Sequence, residues 1–142
     1  MEFDKDLRSV QEARDLMRQA VCAQKQLAEF DQAGVDRIVE SMCRACVKNA
    51  EPLAKMAAEE TGFGRWQDKV LKNLLGSESV YESIKDMKTI GVLTEDPVTQ
   101  VMEVAVPVGV VVALIPSTNP TSTTMYKALI SVKAGNAIVI SP

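Results

Sequence analysis

The stretch that decides the fold is Pro107–Pro142, which reads PVGVVVALIPSTNPTSTTMYKALISVKAGNAIVISP. It begins with a continuous apolar run, Val110–Ile115, and a mostly β-branched run of this kind predicts a strand buried on both faces. A polar turn between two prolines follows, and a helical pattern starts near Thr123. Gly135 fits the residue after a helix, and the apolar run Ala137–Ile140 closes the unit. The order strand, helix, strand predicts a βαβ crossover between two parallel strands.

The polar turn is the candidate site, because open α/β sheets bind ligands at the carboxyl ends of their strands. The turn, Ile115–Pro120, contains neither a glycine triplet nor a Walker-type lysine. Any nucleotide would therefore meet its shape, main chain and hydroxyl groups. Asn119 carries an amide that can donate a hydrogen bond to an oxyanion. Its alternative role is structural, as a residue that opens the turn and caps the helix, and spacing alone leaves both roles open.

The segment IPSTNPTSTTMYKALISVKAGNAIVISP resembles the first βαβ unit of the aldehyde dehydrogenase superfamily, and a looser similarity covers most of the chain. It is most similar to the CoA-acylating branch, such as the acetaldehyde dehydrogenase half of bifunctional aldehyde-alcohol dehydrogenases. That branch has the turn seen at Thr118–Thr123 and the Ser-Pro seen at Ser141–Pro142. The resemblance implies an α/β fold of aldehyde dehydrogenase type. N-terminal helices would precede the first βαβ unit of a Rossmann-like parallel sheet, as a partial domain.

The resemblance also implies roles for individual residues. Asn119 would help to hold the carbonyl oxygen of the substrate, and Ser141 would lie near the adenosine ribose. The nicotinamide end of NAD or NADP would be lined by Ile115, Pro116, Ser117, Thr118, Asn119 and Pro120. The superfamily has a lysine where this chain has Ser141, so the choice between NAD and NADP stays open.

For the parent protein, the resemblance implies conversion of a short aldehyde, CoA and NAD(P)+ into acyl-CoA and NAD(P)H, or the reverse. The family's nucleophilic cysteine and catalytic domain are expected beyond this chain, so the 142 residues should be an N-terminal portion that is inactive alone. One alternative is a non-acylating aldehyde or semialdehyde dehydrogenase. Another is a non-catalytic assembly module, which the missing nucleophile favours.

The expected organisation has three parts. Residues 1–96 form the helical part of the cofactor-binding domain, and residues 108–142 form the first βαβ unit. Residues 97–107 contribute a strand to a hairpin that, in the family, docks on another subunit and implies a dimer or a higher homo-oligomer. Residues 91–97 are expected to be irregular, and Val98–Val106 reads as a strand.

Turn-forming and capping residues divide the helical part. Asp31 is predicted to cap the second helix and Asn49 the third, which Gly62 should end. Gly76 is predicted to bend or interrupt the fourth helical stretch. The charged residues between the apolar stripes are assigned to a solvent-facing surface.

Two aromatic residues and the three cysteines are predicted to have structural roles. Trp66 and Tyr81 have helical spacing and are predicted to lie in the core. Cys22, Cys43 and Cys46 are predicted to be packed, reduced thiols, since a metal site would need further ligands and the chain has no histidine. No metal site is expected, and none of these cysteines is assigned as the nucleophile.

The amino-acid composition excludes several classes of protein. The chain is 46% hydrophobic and 25% charged, as in an ordinary globular protein, and its net charge of −3 argues against a nucleic-acid surface. The sequence contains no apolar run of membrane-spanning length and no signal-peptide core, so no membrane association is expected. A cytoplasmic location is expected, which includes the interior of a bacterial microcompartment.

Overall fold

The computed structural model describes residues 4–141. The helical part consists of α1 (Lys5–Leu27), α2 (Gln32–Lys48), α3 (Ala50–Thr61), α4 (Trp66–Leu74), a π-helical turn (Leu75–Ser79) and α5 (Val80–Ile84). An antiparallel hairpin follows, made of β1 (Gly91–Asp96) and β2 (Val101–Ala105). A parallel pair, β3 (Val110–Leu114) and β4 (Ala137–Ser141), is joined by α6 (Pro120–Lys133). The predicted order of helices and a βαβ unit is confirmed. None of the described helices has the length and apolar character that crossing a bilayer requires.

Local chemistry explains where the first helices begin and end. The Asp31 carboxylate accepts a hydrogen bond from the Gly34 N–H at 2.7 Å and caps α2, as predicted. Gly62 ends α3 at φ 66°, in the left-handed region that suits glycine. The prediction for Asn49 is wrong, because its side chain makes no cap for α3. Its amide instead donates to the Ala45 carbonyl at 2.8 Å and satisfies an acceptor at the end of α2.

Gly76 lies in the π-helical turn that follows α4, where the sequence predicts a bend. This turn contacts the first turn of α6, and a Cβ atom on Gly76 would lie 2.7 Å from the main-chain oxygen of Ser122. A side chain at this position would collide with main chain, which cannot rotate away. Glycine thus allows the π-helical turn and α6 to approach closely.

The hairpin differs from its prediction. Gly91–Asp96, expected to be irregular, forms β1 and pairs with β2. The strand expected at 98–106 is shorter, because residues 97–100 make the connecting turn. Asp96 holds this turn by accepting from the Thr99 hydroxyl at 2.6 Å and the Val98 N–H at 2.9 Å. These bonds lower the pKa of Asp96, and they replace strand pairing locally.

The parallel pair has a regular register, in which Val110 lies opposite Ala137 and Leu114 opposite Ser141. The helix between the strands begins at Pro120, three residues before the predicted start at Thr123. Proline suits this position because its missing N–H would have no partner in the first helical turn.

One face of β3 is open. Ala113 is 3% exposed, whereas Val112 is 58% and Leu114 is 73% exposed. The prediction that this strand is buried on both faces is therefore wrong for residues 4–141, because the described elements cover only one side of it. The apolar run still identifies the strand correctly.

The hydrophobic core lies between α2 and α6. Its buried members are Val35, Val39, Cys43 and Leu129. Tyr81 packs against them, as predicted. Trp66 does not join the core: it is 36% exposed, and the Lys55 ammonium lies 4.7 Å from its ring centroid. A cation over the ring stabilises the aromatic face at the surface, so the core prediction is wrong for Trp66.

A buried lysine joins α6 to the helical part. Lys133 is 2% exposed and donates to the Asp36 carboxylate at 2.7 Å and to the Lys85 carbonyl at 2.9 Å. Gln32 extends the network by donating to Asp36 at 2.8 Å and accepting from the Thr89 N–H at 2.8 Å. Burial of this charge is tolerated because partners on other elements satisfy it.

Candidate functional site

The turn between β3 and α6 lies at the carboxyl end of both parallel strands. The Ile115 N–H donates to the Ser141 carbonyl at 2.9 Å, which extends the ladder by one bond beyond β3. Pro116, Ser117 and Thr118 form the exposed part of the turn. The structure thus brings the predicted residues of the turn and Ser141 to one edge of the sheet, where parallel sheets bind ligands.

Asn119 is the last residue before α6. Its main-chain carbonyl accepts from the Thr123 N–H at 3.2 Å, but its side chain makes no capping hydrogen bond. The part of the structural alternative in which the side chain caps α6 is therefore wrong. The amide oxygen instead accepts from Lys72 Nζ at 2.9 Å. Asn119 Nδ2 lies 3.5 Å from Thr118 Oγ1, a long and weak contact that leaves its donor capacity largely free.

Polar side chains on one face of α4 hold the turn in place. Lys69 Nζ donates to the Thr118 carbonyl at 2.8 Å, and Asn73 Oδ1 accepts from the Thr121 hydroxyl at 2.7 Å. Lys72, which contacts the amide of the next residue along the turn, lies between them in the sequence. Positions i, i+3 and i+4 share a helix face, so α4 holds the turn and the start of α6 together.

Two of these three side chains are almost fully buried. Lys69 is 5% and Asn73 is 1% exposed. The Asn73 amide also donates to the Ala50 carbonyl at 2.8 Å, so that both ends of this amide are paired. A buried polar group is tolerated when its hydrogen bonds are made, and Asn73 therefore links α3, α4 and α6. The solvent-facing assignment of charged residues in the helical part is wrong for Lys69.

Sequence reasoning missed Lys69, Lys72 and Asn73 as supports of the turn. Their spacing in the sequence shows that they share one face of a helix. Spacing alone does not show which part of the chain that face contacts. The partner here lies 47 to 49 residues later in the chain.

Comparison with known proteins assigns the chain to a family. The model of the aldehyde dehydrogenase family matches residues 6–142. The chain belongs to the aldehyde dehydrogenase family. The predicted superfamily and fold class are confirmed.

Individual members of the aldehyde dehydrogenase family agree. The bifunctional aldehyde-alcohol dehydrogenase AdhE of Escherichia coli (strain K12) is 43% identical over 134 residues, which cover 94% of this chain and 15% of AdhE. A probable aldehyde dehydrogenase from Listeria monocytogenes EGD-e superimposes with a TM-score of 0.97 at 62% identity. An acetylating aldehyde dehydrogenase from Geobacillus thermoglucosidasius does so with a TM-score of 0.96 at 54% identity. Each alignment covers 99% of this chain and 31% of the other. The predicted similarity to the acylating branch is confirmed.

The cysteines of this aldehyde dehydrogenase chain lie outside the turn. An open cleft of about 560 Å³ is lined partly by Cys46, Ile115 and Pro120. Cys43 and Cys46 are free thiols within α2, and burial raises the pKa of both. A raised pKa leaves little nucleophilic thiolate at neutral pH. The prediction that Cys22 is packed is wrong, because Cys22 is exposed on α1.

Proposed function

We propose that this chain is the N-terminal, cofactor-side portion of an enzyme that converts a short aldehyde, CoA and NAD(P)+ into acyl-CoA and NAD(P)H, or runs the reverse reaction. The observation that carries the proposal is the turn Thr118–Thr123. It combines the acylating-branch sequence with a largely free amide donor on Asn119 at the carboxyl edge of the sheet. The chain spans 15% of AdhE and 31% of the two solved relatives, so this activity is a proposal for the full-length protein.

Asn119 is the proposed oxyanion donor. When a thiolate adds to an aldehyde, the carbonyl oxygen gains negative charge, and a preorganised N–H beside that oxygen lowers the barrier. Asn119 Nδ2 can fill this role because Lys72 binds the opposite end of the amide. We propose that the thiolate comes from a cysteine of the catalytic domain, since the raised pKa values of Cys43 and Cys46 disfavour thiolate formation there.

The turn also fits the nicotinamide end of NAD or NADP. Its exposed part offers a proline ring, two hydroxyls and main chain, and it contains no charged side chain. In this proposal Ile115–Pro120 form the wall beside the nicotinamide, and Ser141 lies near the adenosine ribose. A bound NAD(P) supplies the hydride acceptor. CoA supplies the thiol that releases the acyl group. Ser141 offers a hydroxyl in place of a lysine, which is compatible with either form of the cofactor.

The test of this proposal is whether aldehyde oxidation depends on CoA in the full-length protein. We expect NAD(P)H to form from a short aldehyde only when CoA is present, with acyl-CoA as the product. The measurement is absorbance of the reduced cofactor together with chromatographic identification of the thioester. A control without aldehyde separates turnover from cofactor binding.

Two outcomes would contradict it in different ways. Oxidation to the free acid at the same rate without CoA would assign the protein to the non-acylating aldehyde or semialdehyde dehydrogenases. A folded full-length protein that oxidises no aldehyde, with or without CoA, would favour a non-catalytic assembly module.

We also propose that the β1–β2 hairpin docks on another subunit, so that the full-length protein is a dimer or a higher homo-oligomer. The support is its exposed apolar surface: Val101, Met102 and Val104 are 56%, 52% and 51% exposed. Val104→Lys would place a charge in such an interface and should lower the mass measured by light scattering. Gln67→Lys adds the same charge at an exposed position on α4 and should not. An unchanged mass for Val104→Lys would exclude this hairpin face as the contact.

A further inference from the structure

Lys72 determines which end of the Asn119 amide faces away from α4. Its ammonium nitrogen lies 2.9 Å from Asn119 Oδ1. An ammonium group has three N–H donors and no acceptor, so it pairs with the amide oxygen. Rotating the amide by half a turn would set its NH₂ group against the ammonium, donor against donor. The contact therefore directs Nδ2 away from Lys72.

Neighbouring groups leave this contact undisturbed. Asp68 lies one helical turn before Lys72, but Arg65 holds its carboxylate with two hydrogen bonds, at 2.9 and 3.1 Å. Lys69 is directed to the Thr118 carbonyl at 2.8 Å. Each of the two lysines thus has its own acceptor in the turn.

We propose that Lys72 is a positioning residue for the reaction at this turn. It orients the Asn119 amide and polarises it, so that Nδ2–H donates to the aldehyde oxygen as that oxygen gains negative charge. This inference rests on the proposed function. A hydrogen bond to an amide oxygen draws electron density from the amide nitrogen and makes its N–H a stronger donor, because linked hydrogen bonds polarise one another. Lys72 acts through Asn119 and does not touch the substrate.

The test uses Lys72→Met in the full-length enzyme, a change that keeps a long side chain and removes the ammonium. We expect kcat for aldehyde oxidation to fall roughly tenfold, less than the hundred- to thousandfold loss typical of removing an oxyanion donor. KM for NAD(P) and the melting temperature should stay close to those of the unaltered enzyme, because Lys72 is exposed. Lys72→Arg keeps cationic donors and should restore most of kcat.

The control is Lys88→Met, which makes the same chemical change at another exposed lysine. It should leave kcat unchanged. A normal kcat in Lys72→Met, or an equal loss in Lys88→Met, would overturn the positioning role.

A double-mutant cycle separates positioning from a general structural effect. Because Lys72 acts through the Asn119 amide, Lys72→Met should cause no further loss in an Asn119→Ala background, whereas independent effects would multiply. Multiplying losses would overturn the inference.

The proposed function and the role of Lys72 are tested by different results. A full-length protein that oxidises no aldehyde would remove the proposed function and the role of Lys72 with it, whereas oxidation without CoA would remove only the acylating assignment. An active enzyme in which only the Lys72 result fails would retain the proposed function.

Discussion

Replacing Asn119 with alanine in the full-length enzyme should slow hydride transfer by about a hundred- to a thousandfold, equivalent to roughly 3–4 kcal/mol. NAD(P) affinity should change little. The reason is that an oxyanion donor acts on charge that develops in the transition state, so its loss lowers the chemical rate more than it weakens ground-state binding. In the structure, the Asn119 side chain has one firm hydrogen bond, from Lys72, and its Nδ2 donor capacity is largely free.

The measurement combines pre-steady-state hydride transfer, cofactor affinity and melting temperature. A side chain that caps a helix typically contributes about 1 kcal/mol to stability, but the Asn119 side chain makes no such bond. The melting temperature should therefore stay nearly constant in Asn119→Ala. A variant with normal hydride transfer would remove the active-site assignment from this chain.

Asn49→Ala provides the matched control. Asn49 also lies at a helix end, and its amide donates to the Ala45 carbonyl. Its replacement should lower the melting temperature slightly and leave hydride transfer unchanged. Replacing Asn119 should thus lower the rate of hydride transfer, whereas replacing Asn49 should lower stability.

Elements encoded by local sequence were predictable. The apolar run at β3 and the glycine after α6 identified the βαβ unit, because each signal concerns residues that are close in the chain. Asp31 and Gly62 were assigned correctly for the same reason: a cap needs only the N–H three residues later, and a left-handed residue needs only the absence of Cβ.

Features that depend on distant partners were not predictable. β1 is a strand because β2 pairs with it, and its own sequence resembles an irregular segment. Lys69 reads as a surface lysine until the turn, 49 residues later, supplies the Thr118 carbonyl as its acceptor. Burial of β3 also depends on the elements that pack against it. Its apolar sequence does not show whether the described chain covers one face of the strand or both.

The candidate site shows the same division. Its turn was identified from sequence, because strand, proline and polar residues are consecutive there. Its support by α4 was not, because the contact requires a close approach between the π-helical turn and α6. That approach depends on the absence of one carbon atom, at Gly76.

Gly76→Ala in the full-length enzyme should therefore lower the free energy of unfolding by about 1–3 kcal/mol, the usual range for overpacking, and should also slow hydride transfer. In an ordinary helix the same change stabilises by roughly 0.5–1 kcal/mol, so the expected effect has the opposite sign. The added Cβ would lie 2.7 Å from the Ser122 main-chain oxygen, and we expect relief of this clash to move the π-helical turn, and with it the end of α4, away from α6. That movement would stretch the 2.9 Å contact between Lys72 and Asn119.

Gly34→Ala is the matched control for this prediction. Its Cβ would lie 2.8 Å from Phe30 Cδ1, nearly as close as the contact at Gly76. The added Cβ would also lie 3.1 Å from Asp31 Oδ1 and 3.3 Å from Phe30 Cβ, but all three neighbours are side-chain atoms. The closest belongs to the Phe30 ring, which is 46% exposed and can rotate aside, whereas the Ser122 main chain cannot. Gly34→Ala should therefore cost less stability and leave hydride transfer unchanged. Chemical denaturation and single-turnover kinetics measure both quantities. If Gly76→Ala were as stable as the unaltered enzyme and equally fast, close approach of the π-helical turn to α6 would not be what holds α4 against the turn.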